Sequence, residues 1–300
     1  MRRRPLPGLI LLVAAAVLAA CGVAASASDA ARSPGASPGT GTAATTHTVR
    51  TTHTIKAGGR TRSWVQVTAP GTASGSAPII VVLSGIHATP SQEIARDGLV
   101  PLAASGSAEL VYPAGVGKSW NAGGCCGVAA KENVNDVAFL QALVAQLDPG
   151  HRQPVYLAGY SNGGRLAYRV ACTDPGLFGA IAVLKAMPEP GCVVSQPVTI
   201  MQIDATNDPT VPYQPGDPGR EQPAATTEVA RLQSADGCTG PPAVVTEGSL
   251  RLETWTGCTA GTRLAFAVYQ GGKHTIPLGN ATTPSAASII WTFFSASGPG

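Results

Sequence analysis

The chain has 300 residues, 44% of them hydrophobic, with 36 glycines, 25 prolines and a formal net charge of +3. That length and apolar content suit one large α/β domain or two small ones. Only 12% of the residues are charged, too few for the basic stripe that nucleic-acid binding requires, so no nucleic-acid partner is expected.

The first 21 residues, MRRRPLPGLILLVAAAVLAAC, join three arginines to an apolar run over Leu9–Ala20. The run is too short to span a bilayer comfortably and reads as an export signal. Its end, Leu18-Ala19-Ala20-Cys21, resembles the lipobox of bacterial lipoproteins, in which the cysteine becomes the lipidated first residue of the mature chain. Residues 22–45 are almost entirely Ala, Ser, Gly, Pro and Thr. Such a segment cannot bury enough apolar surface to offset its conformational entropy, and it reads as a disordered tether between the membrane and a folded domain over 46–300.

Beyond the tether, residues 47–55 and 63–69 flank Ala57-Gly58-Gly59-Arg60 as the arms of a hairpin do. Apolar runs then alternate with helix-like segments. PIIVVLSG, ELVYPAG, PVYLAGY, AIAVLKA, PVTIMQID and RLAFAVYQG read as strands buried on both faces. Between them, 133–147 places Val137, Leu140, Val144 and Leu147 on one helical face, and 162–171 reads as another helix. The alternation predicts an α/β fold, a mainly parallel sheet with helices on both faces.

Within it, Gly159-Tyr160-Ser161-Asn162-Gly163 has the spacing G-x-S-x-G. In a glycine-rich chain the spacing alone carries little, but here a strand precedes it and a helix follows. That is the setting of a nucleophile elbow, where a sharp turn lifts the serine hydroxyl to the carboxyl end of the sheet. A serine needs a base to accept its proton and a carboxylate to orient that base, in the chain order Ser, Asp or Glu, His. Of five histidines, only His274 follows the last strand. Asp204 and Asp208 both lie between it and Ser161, and spacing leaves either within its reach. Asp208 is favoured because it sits farther out on a loop stiffened by Pro209 and Pro212. The two oxyanion donors are expected to be the backbone N–H groups of Asn162 and Ile86. Tyr112–Ser119, YPAGVGKS, only approaches a phosphate-cradling loop, lacking its first glycine and the helix that should follow.

The motifs SWNAGGCCG, NVNDVAFLQALV, GYSNGGRLAYRVAC, NDPTVPY, GGKHTIP and SIIWTFFSA resemble, in order, the poly(3-hydroxybutyrate) depolymerase and feruloyl esterase family of secreted α/β-hydrolases. The resemblance covers about 77–296. It implies an α/β-hydrolase catalytic domain with a Ser161, Asp208, His274 triad, an ester substrate and no cofactor. The alternative is a carbohydrate- or lipid-binding lipoprotein that keeps the fold without turnover. Two motifs depart from the family: Ser84-Gly85 replaces its usual His-Gly, and Ile276 replaces a tryptophan after the histidine. Trp120 is then either the remaining aromatic surface for substrate or a core side chain.

With Cys21 lipidated, six cysteines remain, an even number that suggests disulfides outside the cytoplasm. Cys238 and Cys258, which bracket a segment reading as loop and strand, are paired by the resemblance as well. Cys125 and Cys126 are adjacent, and a ring between neighbours strains the peptide joining them, so each is expected to reach one of Cys172 and Cys192. Oligomeric state leaves no mark in the sequence.

Overall fold

Two glycines, Gly58 and Gly59, both at positive φ, turn β1 (Val49–Ala57) into β2 (Arg60–Thr68). This is the two-residue connection whose twist matches paired strands. The computed structural model describes residues 47–298 apart from 73, 74, 76 and 220–222. The export signal, Cys21 and the tether over 22–45 lie outside the described residues.

After the hairpin come β3 (Ile79–Leu83), α1 (Pro90–Ile94), α2 (Val100–Ala104), β4 (Glu109–Pro113), α3 (Gly127–Lys131), α4 (Asp136–Leu147) and β5 (Val155–Tyr160). The second half holds α5 (Asn162–Thr173), β6 (Ala180–Leu184), β7 (Ile200–Ala205), α6 (Ala225–Ala235), β8 (Ala243–Glu247), β9 (Leu250–Trp255), β10 (Leu264–Tyr269) and α7 (Ala286–Ser295). The strands form one sheet in the order β1-β2-β4-β3-β5-β6-β7-β10-β9-β8. The run from β4 to β10 is parallel, and antiparallel pairs close both edges. This is the α/β-hydrolase fold.

The continuous apolar strands are explained by a core on each side. From β3, Ile79, Val81 and Leu83 join α4, α5 and α6 in one cluster, while Ile80 and Val82 join α1, α2 and α7 in the other. A side chain on either face leaves water completely, which contributes roughly 1.5–3 kcal/mol for each Val, Leu, Ile or Phe. Accordingly β3, β4, β5, β6 and β10 carry no charged residue except Glu109 at the start of β4.

Two elements differ from expectation. The helix read over 133–147 begins at Asp136, because the Asn135 side chain caps it by accepting from Ala138 N at 3.0 Å. Its buried stripe is Phe139, Leu140, Leu143 and Val144, with Val137 and Leu147 only half-buried. The segment between Cys238 and Cys258 contains a complete hairpin, β8 and β9, turned at Gly248. Every residue of β8 is exposed at the sheet edge, so no apolar pattern marks it.

Cys238 pairs with Cys258, Cα atoms 3.8 Å apart, and Cys172 pairs with Cys192 at 5.6 Å. The expected exchange with Cys125 and Cys126 is corrected: those two pair with each other across a cis peptide. Cys172 ends α5 facing the loop that carries Cys192, so neither is left for the 125–126 loop.

Candidate active site

Ser161 sits between the end of β5 and the start of α5 with φ 52° and ψ −118°, a backbone conformation that L-residues adopt only under constraint. The constraint is visible on both sides. Its N–H donates to Leu184 O at 2.9 Å, and the following turn packs so closely that a Cβ at Gly163 would collide with the carbonyl of Leu83. Glycine is thus required for the elbow to approach β3. As the first helical residue, Asn162 leaves its N–H without an intrahelical partner, and among the described residues no protein acceptor takes the N–H of Ile86 either.

From the other strand ends, His274 and Asp208 converge on the serine. His274 Nε2 lies 3.0 Å from Ser161 Oγ, and Nδ1 lies 2.9 and 3.1 Å from the two Asp208 oxygens. Burial would raise the Asp208 pKa, but hydrogen bonds from His274, Thr210 N and Val211 N outweigh it and hold the carboxyl below its usual range. An ionised carboxylate only accepts, so the imidazole proton belongs on Nδ1 and Nε2 is left to accept from the serine. His274 keeps 20% of its side chain exposed while Asp208 has none, so the imidazole faces solvent and the carboxylate does not.

Asp204 does not reach the histidine. It is fully buried and accepts from Gln202 Nε2 at 2.6 Å, in a chain that continues to Tyr168. Beside it lies Lys185, also fully buried, whose Nζ has no hydrogen-bond partner among the described residues. Burial pushes the Lys185 pKa down to about 8, against the opposing pull of Asp204 and Asp208.

Trp120 lies in the core and presents no surface to solvent. It is 0% exposed, with Nε1 donating to Ser84 O at 2.9 Å and its own N–H donating to Asn162 Oδ1 at 2.7 Å. Asn162 Nδ2 returns a bond to Trp120 O at 3.0 Å. Trp120 therefore ties the loop after β3, which carries Ile86, through its indole, to the start of α5 beside Ser161, through its backbone. Its segment is in turn fixed by buried Asp136, which accepts from Asn121 N at 2.7 Å and from Arg62 at 2.8 Å. Neither Asp136 nor Arg62 stands out in sequence, since each reads as an ordinary surface charge. The remaining four histidines lie elsewhere: His47 is exposed before β1, His53 stacks on Trp64, His87 is exposed in the loop after β3, and His151 is exposed in the loop before β5.

No protein-family model matches the chain. Feruloyl esterase C of Emericella nidulans is 30% identical over 201 residues, 64% of this chain and 66% of that protein. The chain thus spans just under two thirds of that relative's length. Among solved structures, an acetyl xylan esterase from Aspergillus awamori superposes with a TM-score of 0.57 at 13% identity, covering 82% of this chain and 99% of that one. The S954A mutant of a feruloyl esterase module from Clostridium thermocellum, complexed with sinapinate, superposes with a TM-score of 0.51 at 11% identity, covering 77% and 83%. The structural likenesses establish the fold. The sequence likeness to feruloyl esterase C points to the same fold.

Proposed function

We propose that the chain is a carboxylic ester hydrolase that works through an acyl-enzyme on Ser161. The observation that carries this reading is the unbroken contact series Ser161 Oγ, His274 Nε2, His274 Nδ1, Asp208, mounted on a strained elbow at the carboxyl ends of β5, β7 and β10. As Oγ attacks the ester carbonyl, His274 takes its proton and Asp208 stabilises the resulting imidazolium. The N–H groups of Ile86 and Asn162 receive the oxyanion. His274 then gives its proton to the departing alcohol, and a water activated by the same base releases the acid. Every group in this scheme is supplied by the chain, and no cofactor enters it.

For the acyl group, the names of the relatives favour a hydroxycinnamoyl ester; a polyhydroxyalkanoate is the second candidate. Initial rates on methyl ferulate, feruloylated arabinoxylan, p-nitrophenyl acetate and poly(3-hydroxybutyrate) separate them. Feruloyl esters are expected to be hydrolysed faster than the polyester, and an inert response to all four contradicts the reading. We further propose that the domain acts outside the cytoplasm, tethered by lipid on Cys21. The lipobox pattern and the three disulfides support this, since such bonds persist in oxidising compartments. Cys21→Ala is expected to move the protein from membrane to medium or to block its processing. Unchanged fractionation and mature mass contradict the anchor.

A further inference from the structure

The backbone of His274 is held by a residue outside the Ser-His-Asp series. Tyr160, immediately before the nucleophile, donates its hydroxyl to His274 O at 2.9 Å, and the two rings lie 5.5 Å apart between centroids at 37°. The phenol ring has two further neighbours. The Arg96 guanidinium stands 5.1 Å from the ring centre. Gly85 lies so close that a Cβ there would fall 2.9 Å from Tyr160 Cδ1 and 3.3 Å from Arg96 Nη2. Arg96 is itself held from behind: its Nε donates to Glu93 Oε2 at 2.9 Å. Glu93, 1% exposed, also accepts from the N–H of Gly85. One buried carboxylate thus fixes the residue before Ile86 and the cation that backs the ring touching His274.

We propose that Tyr160 is a positioning residue that, with Arg96 and Glu93, locks the His274 loop to the oxyanion loop so that base and oxyanion donors keep one geometry. The proposal rests on the catalytic reading given above. It accounts for two sequence features at once. Gly85 is required because the phenol ring fills the space of a side chain. Glu93, in the first turn of α1, is buried rather than solvated because it bonds a backbone N–H as well as a cation.

Removing only the hydroxyl isolates the effect. Tyr160→Phe keeps the ring against Gly85 and Arg96 but frees His274 O. One net hydrogen bond is of a size to change a rate by up to about tenfold. The variant is expected to lose kcat by about that factor with KM within roughly twofold, because the loss falls on the geometry of proton transfer rather than on substrate binding. Arg96→Met, which leaves the hydroxyl in place, is expected to lower kcat in the same direction. Gly85→Ala crowds the ring directly. Its cost is expected to shrink in a Tyr160→Leu background, a non-additivity that an unrelated structural role would not produce. Circular dichroism and thermal unfolding accompany each variant. Tyr160→Phe and Arg96→Met that fold as the parent does and keep kcat within twofold overturn the proposal. So does a Gly85→Ala cost that is the same in both backgrounds. Ser161→Ala serves as the separate control: turnover surviving there overturns the catalytic reading itself.

Discussion

At Asp204, near the end of β7, and Asp208, four residues on in the loop that follows, the same side chain meets two environments. Asp208 collects three hydrogen bonds to its ionised form, whereas Asp204 is sunk beside Gln202 and the buried Lys185. Asp208→Asn removes the acceptor that keeps the proton on His274 Nδ1. A loss on the order of 10⁴ in kcat is expected by analogy with the serine-protease aspartate, at nearly unchanged stability. Asp204→Asn is expected to behave in the reverse way. It withdraws the carboxylate facing a buried ammonium, at a cost of about 3 kcal/mol in stability, while most turnover remains. Kinetics and denaturant titration on both variants check this, and a kcat loss confined to Asp204→Asn contradicts it. Both aspartates are visible in the sequence as candidates. Spacing cannot choose between them, because the choice depends on how the loop after β7 turns. Trp120 shows the same limit: an aromatic near a site reads alike whether it lines the cleft or, as here, braces the backbone beneath it.

Among the elements, α6 ends on an unusual cap. Asp236 is 0% exposed; Oδ1 accepts from Val198 N at 2.9 Å, and Oδ2 has no hydrogen-bond partner among the described residues. Burial, opposed only by the Val198 bond, pushes its pKa up to about 6 from the ordinary 3.8. Because the folded value exceeds the unfolded one, this group's contribution is fully present below about pH 4 and is lost as pH rises through about 6. Asp236→Asn is therefore expected to unfold at nearly the parent's temperature near pH 4 and at a higher one at pH 7. The gain is at most about 3 kcal/mol, for a shift of roughly two units. A variant less stable than the parent at pH 7 contradicts the assignment. The parallel strands were legible as elements because both of their faces are covered, and the β5-turn-α5 unit because G-x-S-x-G demands it. The hairpin of β8 and β9 was not, since an exposed edge has no buried face to pattern. Nor were α1, α2 and α3, each of five residues, too short for a helical period to show.

Across the molecule, the sheet order does what the linear sequence cannot. Ser161 and His274 are 113 residues apart in the chain, yet β5, β6, β7 and β10 lie side by side and present their loops at one end. The sequence predicts that such loops meet, since a parallel sheet gathers its carboxyl ends on one edge. It does not predict the bracing beneath them, from Arg62 and Asp136 through Asn121 and Trp120 to Asn162 and Ser84, because every link is a contact between distant segments. In the proposed reaction, this gathered edge activates Ser161 as a nucleophile. The most direct test is reaction of the folded protein with a fluorophosphonate, followed by intact-mass analysis and peptide mapping. A single adduct on Ser161 is expected, formed in step with loss of ester hydrolysis, with neither adduct nor turnover in a folded Ser161→Ala variant. An adduct on another residue, or hydrolysis that persists in Ser161→Ala, would contradict it.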